Sequence, residues 1–138
     1  LFVAASRRVP DGVICLLSAL HFHDMTTENP SEIWLASDRK ARRPVIAGLP
    51  LRVVRFSPAL LREGTEAPVI DGVEVRVTTP ARTVADCFKY RGKIGIEVAL
   101  AALQSYVRHR KGTADDLWRA AVNCRVANVM RPYLESVS

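Results

Sequence analysis

The sequence has no long apolar run. Its longest stretch without a charged residue spans residues 12–23. A helix needs about twenty apolar residues to cross a bilayer, so no membrane partner is read. The residues that follow Leu1 have no basic segment ahead of an apolar one, which argues against a secretory leader. Cysteine is scarce: Cys15, Cys87 and Cys124 are scattered and odd in number. That pattern excludes a disulfide framework and reads as reduced, buried thiols in a cytoplasmic protein. No glycine-rich phosphate loop is present, since Gly92 and Gly95 lack the spacing of either standard fingerprint.

What is present is enough to fold. The chain has 138 residues and 15.3 kDa, one domain's worth. A chain of that size buries roughly two-thirds of the surface it exposes when unfolded. Apolar residues make up 49% and charged residues 25%, so disorder over most of the length is excluded. The net charge of +6 is mostly arginine, which suits phosphate or carboxylate surfaces.

Local patterns give an order of elements. Residues 1–8 are apolar and helix-friendly. Val13, Leu16, Leu17, Leu20 and Phe22 recur at helical spacing, which predicts a largely buried helix over 12–23 with Asp11 as its cap. Residues 32–37 and Leu51–Phe56 read as strands, and Pro58–Arg62 as a helical turn at most. Asp71-Gly72 is the preferred two-residue hairpin turn. The alternating V-E-V-R-V-T after it predicts one strand over 73–78 that pairs with Val69 and Ile70. Thr79 and Pro80 fit the cap and first position of a helix whose stripe is Val84, Cys87 and Phe88. Gly92 breaks that pattern. A long amphipathic helix follows over 93–111, with Ile96, Ala99, Leu100, Leu103 and Val107 inward. Gly112 ends it.

Thr113 to Asp116 resembles a capping box, opening a helix with Leu117, Ala120, Ala121 and Cys124. In a last segment carrying Val129, Met130, Tyr133 and Leu134, Pro132 predicts a kink or a fresh start near Arg131. The fold class is α+β: a small mixed or antiparallel sheet of four or five short strands with helices packed on it and an all-helical C-terminal part.

Chemistry-bearing clusters are few. His21 and His23 sit two apart, so a helix points them to different faces, and Asp24 ends that helix. Cys15 and Cys87 fall on apolar stripes, whereas a reactive thiol needs an electropositive, partly exposed setting. Asp71, Glu74 and Arg76 imitate part of a nuclease motif, but Asp71 is a turn residue and the lysine is missing. No catalytic residue, cofactor-binding residue or metal ligand is assigned. The binding candidates are the loop cations Arg39, Lys40, Arg42 and Arg43, joined by Lys89, Arg91 and Lys93. Mobile arginines held by no core are the cheapest to redeploy onto phosphates or an acidic partner.

Several stretches taken together carry a resemblance: GVICLLSAL at 12–20, EIWLA at 32–36, KARRP at 40–44 with LRVVRF at 51–56, TPARTVADCFKYR at 79–91, and CRVANVMRPYL at 124–134. In this order they resemble the effector portion of AbiEi-family antitoxins, from about residue 9 onward. The resemblance implies a C-terminal mixed α/β domain over 9–138 that opposes a nucleotidyltransferase toxin in a bacterial, phage-defence type IV toxin–antitoxin system. In such a system the antitoxin counters the toxin's effect without needing a stable complex. It also implies promoter DNA as a partner, bound through an N-terminal winged helix-turn-helix domain. Residues 1–8 are then expected to be the remnant of a linker helix from that domain. The family implies no catalytic residue, so the chain is expected not to be an enzyme. Two alternatives stay open. One is a plain transcriptional regulator without a toxin partner. The other is a degenerate nuclease-like protein, because a Thr-Pro-x-Arg-Thr helix start (Thr79 to Thr83) also occurs in relatives of short-patch repair endonucleases.

Overall fold

The computed structural model describes residues 1–137, and Ser138, the last residue of the expected 9–138 domain, lies outside the described residues. The elements in chain order are α1 (Phe2–Arg8), β1 (Val13–Ile14), α2 (Leu16–Phe22), β2 (Ile33–Asp38), β3 (Leu51–Phe56), α3 (Pro58–Arg62), β4 (Thr65–Glu66), β5 (Val69–Ile70), β6 (Val73–Glu74), β7 (Val77–Thr78), α4 (Pro80–Lys89), α5 (Arg91–Ile94), α6 (Ile96–Arg108), α7 (Ala114–Asn123) and α8 (Ala127–Val137). The fold is α+β, as its residue patterns predict. Five strands form one mixed sheet in the order β3-β2-β1-β7-β4, and β5 and β6 form a separate hairpin. The parallel neighbours β2 and β3 pair along six residues, from Ile33 with Leu51 to Asp38 with Phe56.

The sheet is covered on both faces, and strand alternation sorts its side chains. Val13, Trp34, Ala36, Val54 and Phe56 join the larger core, with α2, α4 and the C-terminal helices. Ile14, Ile33, Leu35 and Val77 point the other way, into a smaller core closed by Ala5 of α1 and Val75. Phe2 anchors α1 there by stacking near His21 and Phe22, with centroids 6.1 and 5.9 Å away.

Helix α4 starts where Thr79 and Pro80 place it: the Thr79 hydroxyl accepts from the Arg82 amide and Pro80 takes the first turn. Val84, Cys87 and Phe88 are fully buried. The Thr113–Asp116 capping box is complete in both directions and opens α7. The hairpin turn also forms at Asp71 and Gly72, with φ of +51° and +75°, the left-handed pair that a type I′ turn requires.

Four expectations are corrected. The segment 12–23 is not one helix: Val13 and Ile14 form β1 between β2 and β7, and α2 begins only at Leu16, with Cys15 and not Asp11 at its cap. A run buried on both faces carries no periodicity that separates strand from helix. The 73–78 strand is split between two sheets. Val73 and Glu74 pair with the hairpin, whereas Val77 pairs with Ile14 and Glu66 in the main sheet. The transfer falls at Val75 and Arg76, where the Val75 amide still donates to Pro68 and the Arg76 carbonyl already accepts from Ile14.

The 93–111 helix is broken at Gly95, whose φ is +93°, and not at Gly92. Its inward residues include Ala102 and Tyr106, while Val107 is 42% exposed. Finally, α8 runs unbroken through Pro132, with no restart at Arg131. Asn128 and Pro132 are both on the exposed side, so the carbonyl that Pro132 leaves without an amide faces water.

Candidate functional site

The basic loop begins where β2 ends. Residues 39–50 carry the chain back to the start of the parallel strand β3 without a helix, with a bridge between Ile46 and Leu49. Arg39, Lys40, Arg42 and Arg43 are all exposed. The far part of the loop is anchored by the buried Ile46 and by Leu49, which packs on the smaller core; its basic part is held by hydrogen bonds. Asp38 accepts from the Lys40 amide at 2.8 Å. Arg55, reaching across from β3, donates through Nη1 to the carbonyls of Asp38 (2.8 Å) and Ala41 (3.1 Å). Arg55 is a positioning residue that sequence reasoning missed. The alternation of L-R-V-V-R-F signals its side of the strand but not its partners.

The second basic stretch caps α4 and forms α5. Lys89, Arg91 and Lys93 are exposed, and Tyr90 between them is half-buried. Arg91 Nη1 donates to the Phe88 carbonyl at 2.8 Å, which also accepts from a backbone amide at the end of α4. Tyr90 packs near Phe56, with centroids 6.5 Å apart, and Lys93 Nζ lies 6.0 Å from the Tyr90 ring centre. Burial, helped by the Asp86 carboxylate, pushes the Tyr90 phenol up to about 12. Arg82 and Arg39 pull it the other way.

The two basic stretches lie some fifty residues apart in the sequence. Lys93 sits over the Tyr90 ring, and the charge of Arg39 acts on the Tyr90 phenol. Lys89 and Arg91 flank the ring along the chain, and Lys40, Arg42 and Arg43 continue along the exposed loop. None of these seven cations makes an ion pair among the described residues. A half-buried aromatic face with unpaired cations around it has the components of a surface that takes a stacked base and its phosphates.

The other candidates resolve as structure. Nε2 of His23 donates to the Thr78 carbonyl at 2.7 Å, with Glu66 at 3.8 Å, and His21 sits apart from it on the exposed side. Arg76 Nη2 donates to the Leu61 carbonyl at 3.2 Å, and Glu74 is exposed. Among the described residues no three of His, Cys, Asp and Glu are grouped to hold a metal ion. The three thiols are free and buried. Burial raises each of them, Cys124 to about 12, and the Cys124 thiol donates to Asp86 Oδ1 at 3.7 Å.

Sequence reasoning also missed a buried ion pair. Arg82, 2% exposed, and Asp86, 1% exposed, lie one turn apart on α4 with Nε and Oδ1 2.9 Å apart. Arg82 Nη1 donates to the carbonyls of Leu60 and Glu63 at 2.7 Å each, and its guanidinium lies over Phe56 at 4.6 Å. The i, i+4 spacing was the available signal; nothing local says that this pair is buried.

No helix among the described residues is long and apolar enough to cross a membrane. No family model matches the chain, and no curated sequence matches it significantly.

Proposed function

We propose that this chain is the C-terminal domain of an antitoxin of the AbiEi type. It is non-enzymatic, acts in the cytoplasm and opposes a nucleotidyltransferase toxin, while a winged-helix domain outside this chain binds the promoter. The ordered stretches of resemblance support that reading. The basic surface around Tyr90 suggests how the domain acts: it takes the phosphates of the toxin's nucleic-acid substrate and withholds them from the toxin. The observation that carries this step is the set of seven exposed cations that make no ion pair among the described residues, three of them beside a half-buried aromatic ring whose phenol also feels the charge of Arg39. Cations left unpaired on a surface attract polyanions with a strong dependence on salt.

The test is growth rescue. The full-length protein is expressed beside the neighbouring nucleotidyltransferase gene, with and without replacement of Arg39, Lys40, Arg42, Arg43, Lys89, Arg91 and Lys93 by serine. The expected result is rescue by the parent and its loss in the variant, while the purified variant keeps its melting temperature. Anisotropy of a labelled single-stranded RNA should show binding by the parent that weakens as salt rises. Equal rescue by both proteins would overturn the role of this surface. An absent toxin gene, or metal-dependent cutting of DNA, would overturn the antitoxin reading itself.

A further inference from the structure

A second surface lies at the C-terminal end of α6. The end of α6, α7 and α8 enclose a groove of about 440 Å³, walled by Tyr106, Val107, Leu117, Trp118, Leu134 and Val137. The helical spacing that buries Leu117 and Met130 leaves the neighbouring positions Val107 and Trp118 at the groove, 42% and 36% exposed, and Val122, one turn beyond Trp118, is 50% exposed. A patch of this kind on a folded domain marks a contact surface.

Its edges are basic. The Arg131 guanidinium lies over the Trp118 ring at 5.3 Å, which holds the charge in place at the rim. Arg110 lines the same groove and sits just past the end of α6 with φ of +50°, a conformation that favours glycine. Lining the groove as well is one acid, Glu135, a helical turn beyond Arg131.

We infer that this groove docks an acidic amphipathic segment of a partner protein. Apolar side chains at one helical face fill the space between Trp118 and Leu134, and carboxylates on the flanks meet Arg110 and Arg131. The volume is that of a pocket taking a few side chains, the size needed for helix-in-groove recognition. The rim charge selects the occupant: two arginines against one acid in the groove lining favour a segment that brings carboxylates.

The experiment uses the full chain with nitrogen-15-labelled tryptophans. Trp118 is the reporter, and Trp34, 8% exposed, is the internal reference. The probe is a synthetic helical peptide with leucine at positions i, i+3, i+4 and i+7 and glutamate elsewhere. Its analogue with lysine in place of glutamate, and phosphatidylglycerol vesicles, are the comparators. The expected result is a saturable shift of the Trp118 indole resonance by the acidic peptide, at least tenfold weaker with the lysine analogue. Arg110→Glu with Arg131→Glu should reverse that preference. Val107→Glu, at an exposed site, should abolish the shift without lowering the melting temperature. No Trp118 response to the acidic peptide would overturn the inference. So would equal responses to both peptides, a response to vesicles alone, or a dimer in which Trp118 is protected.

Discussion

Arg82 and the arginines of the 39–43 loop are the same chemical group put to opposite uses. Arg82 is 2% exposed and donates through Nε to Asp86 and through Nη1 to Leu60 and Glu63, while Nη2 is buried with no partner among the described residues. Arg39, Arg42 and Arg43 are exposed and make no ion pair among the described residues. The buried guanidinium fastens the α3–β4 segment to α4, and removing its counter-charge leaves an uncompensated ion in the core. The exposed ones make no ion pair among the described residues, which leaves their charge available to a partner. Charge count alone therefore says little about where arginine acts; its hydrogen-bond partners decide that.

The contrast can be broken by mutation. Asp86→Ala should give the largest loss, about 3–5 kcal/mol, because Arg82 stays buried without its carboxylate. Urea denaturation reads it, and a loss under 1 kcal/mol would mean that Arg82 finds water when the pair is cut. Next is Gly112→Ala. A β-carbon there would collide with the Tyr106 hydroxyl, which donates to the Thr113 carbonyl at 2.7 Å. Overpacking of this sort costs about 1–3 kcal/mol. Tyr106→Phe in the same background should recover part of the loss in a thermal melt, since it removes the colliding atom.

Thr113→Ala removes a side-chain acceptor for the Asp116 amide at 3.0 Å, and should cost about 1 kcal/mol, the usual value of a helix cap. Hydrogen exchange in the first turn of α7 should rise most. The smallest effect belongs to the loop. Serine at Arg39, Lys40, Arg42 and Arg43 should change stability by a few tenths of a kcal/mol per site, yet flatten the salt dependence of polyanion binding. If that quadruple variant melts early, the loop is part of the folded core and the comparison with Arg82 fails.

Signals carried by adjacent residues were legible. Asp71-Gly72 specified its turn because both positions adopt positive φ. Thr79-Pro80 and Thr113 with Asp116 specified helix starts because a cap is made within four residues. The α+β class followed from runs of strand-like and helix-like pattern. The seven cations of the candidate surface were legible as composition and exposure. Arg55 beneath the loop was not, because the carbonyls it holds, those of Asp38 and Ala41, lie well before it in the chain.

The same division explains the misread elements. Val13-Ile14 is a strand only because β2 and β7 lie on either side of it. Residues 73–78 change sheets because Val77 finds Ile14, a partner more than sixty positions earlier. What the sequence determined by itself is what short-range chemistry enforces: turns, caps, amphipathic faces and a basic balance. The tertiary structure alone decided which apolar run became a central strand, that Arg82 and Asp86 would be buried together, and that Arg55 of β3 would hold the basic loop. Those outcomes depend on long-range packing: the strand's partners, the elements that bury an ion pair four residues apart, and the loop that Arg55 reaches all lie outside any window of neighbouring residues.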